Sequence, residues 1–306
     1  MMNKRHGPNR TAQAGLRARL ADRHFPRLKA ALLDELRRQV RDAADLARRG
    51  DFTRLKSKLP EWKRGLIAAQ RKALIAIAAE TYRQAGTETG VAPARGKTIG
   101  TQHSALSTSL RGKAVEVGDW EHFVLKNDWA NLDRWVETTA EGAANTTAER
   151  LTRIFGHAAD YWDADKKRGL TPVEIAQQIL ADGMTQCEAR ARMLAHTGAI
   201  WAANEGAMNR YADDGIAVVE WLTADDDLRC PFCADMNGKR VETKEAFLSA
   251  GDSLTVPGAG TLKIPGTFDI RHPPAHPNCR CTLIPIVDTR QLEPEPKPAA
   301  HIGRAR

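Results

Sequence analysis

No run of apolar residues in this 306-residue chain approaches the roughly 18–20 needed to cross a bilayer. The longest reaches only from Ala73 to Ala79. Neither a helical membrane span nor a membrane partner is expected. The basic residues near the N-terminus are not followed by an apolar segment, so they do not read as a secretory signal. Cysteine is scarce: there are five, an odd number, and four of them fall in one cluster. That pattern does not build a secreted disulfide scaffold, and it points to a reducing cytoplasm. The chemistry of several common enzymes is also missing. There is no Ser-His-Asp arrangement and no Walker motif. Gly258-Ala259-Gly260 lies in an expected loop with no helix after it to cradle a phosphate.

Acidic residues are thin at the front. Residues 1–72 hold 20 Lys and Arg against 7 Asp and Glu, a local +13. The whole chain carries +8, so the other 234 residues carry −5. Charge concentrated in this way suits a polyanion such as double-stranded DNA, bound without sequence preference. The competing reading is a solvated helix face, since pairs such as Arg37-Arg38 are ordinary outward positions.

What is present is mostly helical pattern. Residues 1–24 read as a basic, flexible arm. Phe25, Leu28, Leu32, Leu36, Val40 and Leu46 recur at helical spacing. A second helix is expected from about Glu61 to Tyr82, and a loop rich in Gly, Thr and Ser near 86–118. Helical spacing resumes between Trp120 and Trp162. Thr171-Pro172-Val173-Glu174 is a capping box with Pro at the first helical position. Asp182-Gly183 is expected to stop that helix, and Thr185 to Glu188 to start another that runs to about Tyr211, with Gly215 as its C-terminal cap. Cys187 reads as a buried thiol in it. The texture then turns to strands at Ile216–Leu222 and Thr282–Val287, with a turn at Asn237-Gly238. Thr243 to Ser249 is expected as a short helix and Gly251 to Gly266 as loop. The fold class is α+β and mostly α. A helical region spans 25–165, a small mixed module 166–287, and a Pro-containing tail 288–306.

The module contains Cys230-Pro-Phe-Cys233 and, 42 residues later, His276-Pro-Asn-Cys279-Arg-Cys281. Two residues between cysteines let one tight turn aim both sulfurs at a point, and thiolate with imidazole suits zinc. Cys230, Cys233 and His276 are the firmest candidate ligands. Cys279 and Cys281 compete for the fourth place, or supply both and leave His276 outside. A closed Cys and His set is structural rather than catalytic, so no enzymatic activity is expected. His272 is a reserve ligand, with a surface histidine as the favoured reading. Asn278 and Arg280 are expected to shape the turn.

These residues resemble the phage Mu F-like minor head (head morphogenesis) family. The resemblance rests on Trp221-Leu222-Thr223, Asp226, Cys230-Pro231-Phe232-Cys233, Asn237-Gly238-Lys239 and the run from Pro273-Pro274 through His276-Pro277-Asn278-Cys279-Arg280-Cys281 to Thr282. It spans about residues 170–287. One departure is the triplet Asp225-Asp226-Asp227, where the family usually has a single Asp; Asp226 is read as a turn former or a neighbour of the metal ligands. The resemblance implies a phage or prophage structural protein that acts in head assembly near the portal. Portal, capsid or scaffold proteins would be its partners. It would sit in the virion interior, and in the host cytoplasm during assembly. The alternatives from other classes are a zinc-stapled nuclease and a free DNA-binding zinc protein.

Overall fold

The apolar spacing seen from Phe25 onward lies on helix α1, Arg10–Arg48, in a computed structural model of the protein. The structure describes residues 10–88, 130–160, 168–224, 229–286 and 302–303. A 3-10 turn at Phe52–Lys58 leads into α2, Leu59–Glu88. Helix α3 is Ala130–Asp160, α4 is Pro172–Asp213, and α5 is the single short turn Pro231–Met236. The strands are β1 Val218–Leu222, β2 Arg240–Glu242, β3 Ser253–Val256, β4 Gly260–Lys263, β5 Thr282–Ile286 and β6 Ile302–Gly303. The fold is mostly α with a small antiparallel β module near the C-terminus.

Packing separates two units, 25–73 with 130–196, and 1–24 with 74–129 and 197–306. The first is helical. Leu28, Leu32, Leu36 and Val40 of α1 are buried there, as are Trp62 and Leu66 of α2, Leu132 and Val136 of α3, and Ile179 of α4. Burying an aliphatic side chain of this size contributes about 1.5–3 kcal/mol, so this stripe is the main source of that unit's stability.

In the second unit, β1 is the central strand of a three-stranded sheet, β2-β1-β5, antiparallel on both sides. Trp221 of β1 is fully buried and meets Phe247 edge-on, at 5.2 Å between ring centroids. The buried Glu220 lies opposite Arg240 in the register and accepts a hydrogen bond from its Nε at 2.8 Å. That cross-strand pair keeps a charge in the sheet without leaving it unmatched.

Several expectations are corrected by the backbone. Helix α1 already begins at Arg10, where an arm was expected up to residue 24. Pro26 sits inside it and removes only one backbone donor. The apolar stripe continues ahead of it through the buried Leu20 and Ala21. Helix α4 runs unbroken through Asp182-Gly183. A Cβ on Gly183 would lie 2.7 Å from a Val40 methyl, so this glycine serves close helix packing rather than a helix stop. The Thr185 hydroxyl donates back to the Ala181 carbonyl at 2.8 Å, the behaviour of a residue within a helix.

The caps at the ends of α4 do form. Glu174 N–H donates to Thr171 Oγ1, and Thr171 N–H donates to Glu174 Oε2 at 2.8 Å. Gly215 takes a φ of +73°, with Ile216 N–H on the Tyr211 carbonyl and Gly215 N–H on that of Ala212. This is the Schellman arrangement, which satisfies carbonyls the helix leaves free.

Thr243 to Ser249 is an irregular turn, not a helix. The Thr243 hydroxyl is tied to the Ile216 carbonyl, and Leu248 bridges to Ile270. Residues 251–266, expected as loop, contain the β3-β4 hairpin, and β6 adds to the other edge of β3. The expected loop lies outside the described residues from 89 onward. So do Trp120, Trp162 and the tail, apart from 302–303.

Candidate metal centre

The first half of the cysteine cluster is built by a helix start. Cys230 is the N-cap of α5, Pro231 occupies the first helical position, and Cys230 Sγ accepts from Cys233 N–H at 3.3 Å. Proline suits this place because its missing donor would be unpaired anyway. The turn puts both sulfurs on one side. Met236 ends α5, and Asn237-Gly238 reverses the chain into β2, with Gly238 at φ +78°. The Asn237 side-chain oxygen accepts from Thr223 N–H at 3.1 Å, which fastens this knuckle to the end of β1.

The second half arrives on the segment before β5. His276 Nδ1 contacts the Pro277 carbonyl oxygen at 2.9 Å. A carbonyl only accepts, so Nδ1 carries the proton and Nε2 keeps its lone pair. That Nε2 lies 3.1 Å from Cys230 Sγ and 3.0 Å from Cys233 Sγ. Asn278 adopts the left-handed conformation at φ 60°, and its N–H donates to Thr197 Oγ1. Asparagine tolerates that geometry better than most residues. The bend swings Cys279 inward, to 3.7 Å between its sulfur and that of Cys233.

The five donors form two overlapping triplets, Cys230-Cys233-His276 and Cys233-Cys279-Cys281, each with ligand atoms within 4.8 Å of one another. Cys233 is common to both. Two thiolates on one tetrahedral zinc, with Zn–S near 2.3 Å, stand about 3.8 Å apart, close to the Cys233–Cys279 separation. Cys233, Cys279 and Cys281 are buried, and Cys230 and His276 are half-buried. Thr223, Arg229 and Arg280 line the same recess.

The electrostatics favour one thiolate, that of Cys279, while Cys233 and, on balance, Cys281 are pushed up. Hydrogen bonds from Cys233 and Cys281 draw the Cys279 pKa down to about 3, and the same contact with Cys279 pushes Cys233 up. The buried Trp221 indole N–H has no well-formed hydrogen bond, and it acts on Cys281 by favouring that residue's thiolate. A buried donor directed at sulfur, beside four cysteines and a histidine with a free Nε2, is a donor set that can hold a soft divalent cation.

Two residues of α4 position this segment, and sequence reasoning missed both. Asn204 uses its whole amide. Its nitrogen donates to the carbonyls of Ile200 and Cys281, and its oxygen accepts from Thr282 Oγ1 and Leu283 N–H, at 3.0–3.2 Å. Glu205 is buried and pairs with His272 Nε2 at 2.7 Å. His272 Nδ1 meets the Pro273 carbonyl at 2.7 Å, so both ring nitrogens face oxygen and both donate. Burial alone would raise the Glu205 pKa. The hydrogen bond from His272 and the charges of His272 and Arg271 hold it below the ordinary carboxylate value. His272 is therefore neither a surface residue nor part of the metal cluster. Asp226 lies outside the described residues. The signal for the missed pair was two polar residues, Asn204 and Glu205, in a run of otherwise apolar and small ones from Ala199 to Ala207.

Among the described residues no helix is long and apolar enough to cross a membrane. No curated protein and no solved structure matches the chain. One family model does, that of the Phage Mu protein F like protein, over residues 166–284. This is less than half of the chain, but it contains α4, β1, β2, the first residues of β5 and every residue of the cluster. Residues 166–284 of the chain are thus similar to the Phage Mu protein F like family.

Proposed function

We propose that the protein is a minor head protein of a phage or prophage, acting in head assembly near the portal, with a zinc ion as the structural staple of its C-terminal module. The observation that carries this reading is the closed Cys and His set inside the matched module. Cys230, Cys233 and His276 would hold the ion from one side and Cys279 from the other. Cys281 is the alternative to Cys279, within reach of the same position. A bound ion would close the long segment between the two halves and add its binding free energy to folding. Portal, capsid or scaffold proteins would be the partners in the head, and the basic residues 1–72 would contact packaged DNA.

The nuclease alternative needs a general base beside the metal. The nearest unclaimed histidine is His272, and it is buried with both nitrogens engaged. That weighs against cleavage chemistry at this site.

Metal analysis of protein purified under reducing conditions without chelator tests the staple: about one zinc per chain is expected, and Cys233→Ser should lose most of it. Zinc-free, folded wild-type protein would overturn it. Metal-dependent DNA cleavage that His272→Ala abolishes would favour the nuclease. Mass spectrometry of purified heads tests the placement, because heads that assemble normally without this chain and contain none of it would remove the head-assembly reading.

A further inference from the structure

Three helices of the unit formed by 25–73 and 130–196 bring arginines together around Cys187. Arg37 and Arg41 stand one turn apart on α1, Arg150 is on α3, and Arg190 is one turn after Cys187 on α4. Arg37, Arg41 and Arg190 all act on the Cys187 thiol, and Arg150 acts on Arg190. Arg37, Arg41 and Arg190 thus surround one thiol, and Arg150 stands beside Arg190, one turn after the Thr147 that Arg190 binds.

Arg190 is held rigidly. Its guanidinium donates to Thr147 Oγ1 at 2.9 Å and to the Ala143 carbonyl at 2.8 Å. Both acceptors are neutral. Among the described residues none of the four arginines forms an ion pair with a carboxylate. Glu188, next to Cys187 in the chain, is already paired with Lys29 and also sees Arg192 and Arg37. Cys187 supplies no counter-charge either. Burial raises its pKa, and its sulfur donates to the Gly183 carbonyl at 3.2 Å. Burial and the charge of Arg150 pull Arg190 down to about 10.

Partly buried cations without a matching anion are costly, and proteins normally pair them. Here no carboxylate among the described residues is ion-paired with any of the four, and the patch opens to solvent through the exposed Arg41 and the half-buried Arg37. Arginine rather than lysine supplies a planar fork that fits phosphate with two hydrogen bonds.

We propose that Arg37, Arg41, Arg150 and Arg190 form a phosphate-binding patch that takes the backbone of double-stranded DNA. The choice of DNA as the polyanion rests on the proposed role in a DNA-containing head. The four arginines come from three helices and contain no element that reads base edges, so binding is independent of sequence. This narrows the DNA contact from a net charge spread over residues 1–72 to one built site, two of whose members, Arg150 and Arg190, lie outside that segment.

Fluorescence anisotropy with a short labelled duplex across a salt series, using the full chain, decides it. Wild-type protein should bind with an affinity that falls steeply with salt, and Arg37→Gln with Arg41→Gln should reduce the slope of log affinity against log salt by about 1.8, at about 0.9 per phosphate contact. Arg134→Gln with Lys263→Gln, exposed residues outside both the patch and residues 1–72, should leave the slope nearly unchanged. Arg190→Gln should weaken binding as well. If that variant does not fold, the exposed α1 pair still decides the matter. No binding by the wild type at low salt overturns the proposal. So does binding undiminished in the Arg37/Arg41 double variant, which would move any DNA contact elsewhere. Tighter binding to polyglutamate than to duplex also overturns it and makes the patch a dock for an acidic protein. None of these results depends on zinc content or incorporation into heads, so failure here is separate from failure of the proposed function.

Discussion

Breaking the buried Glu205–His272 pair tests how the cysteine-bearing segment before β5 is held. In His272→Ala the Glu205 carboxylate stays buried and keeps, of its two hydrogen-bonding side-chain partners, only Asn209, at 3.4 Å. Removing one member of a buried pair typically costs about 3–5 kcal/mol, because the other charge is left uncompensated. For a chain of roughly 150–250 ordered residues, each kcal/mol moves Tm by about 2–4 °C, so a fall of about 6–20 °C is expected. Circular dichroism melts of the protein as purified measure it. Replacing both partners, Glu205→Leu with His272→Leu, should recover much of the loss, since apolar replacement of a whole buried pair is often nearly neutral. The pH dependence carries the same signature. The folded-state pKa of Glu205 is lowered, so its contribution is complete above the pKa of an unfolded glutamate and is lost as pH falls through the folded value. Glu205→Gln should therefore flatten the acid limb of the stability profile. A single-variant cost below about 1 kcal/mol, or a double variant no better than the singles, would refute the reasoning, because neither fits an uncompensated buried charge.

Two further outcomes follow from packing and capping. Gly206→Ala would place a Cβ 2.0 Å from the Ala78 carbonyl oxygen, so the variant should fail to fold or lose more than about 3 kcal/mol in a denaturant titration. Thr171→Ala removes one half of the capping box at α4 and should cost about 1 kcal/mol, and Thr171→Ser should restore most of it.

Features whose cause is local were legible in the sequence. The capping box at Thr171, the Gly215 cap and β1 and β5 follow from short patterns that need no distant partner. The cluster was legible because CxxC and HxxCxC each carry their own turn. Features whose cause is tertiary were not. Gly183 has the look of a stop signal, and only the Val40 methyls pressed against it show why the helix continues. The β3-β4 hairpin was hidden because Leu254 to Val256 and Thr261 to Lys263 are too short to show clear alternation around their turn. Asn204 and Glu205 act on residues far along the chain, Asn204 and Leu283 being 79 positions apart. His272 looked like a surface residue because its burial depends on Glu205 and on the ring of Trp201, 5.0 Å away between centroids. The Arg37-Arg41-Arg150-Arg190 patch is assembled from three helices, and no stretch of sequence displays it.

The antiparallel pairing of β1 with β5 sets a timetable for synthesis. β1 is central in its sheet, yet one of its two neighbours is made only when residues 282–286 emerge. Asn204 likewise waits for Thr282 and Leu283. At about 5–20 residues per second, the 79 residues that follow Asn204 up to and including Leu283 take about 4–16 s to translate. For part of that interval Cys230 and Cys233 have been made while His276, Cys279 and Cys281 are still to come. The nascent chain therefore passes through a stage with two closely spaced thiols and an unfinished sheet edge. At that stage oxidation of Cys230 and Cys233, or a chaperone that covers the edge of β1, would compete with correct assembly.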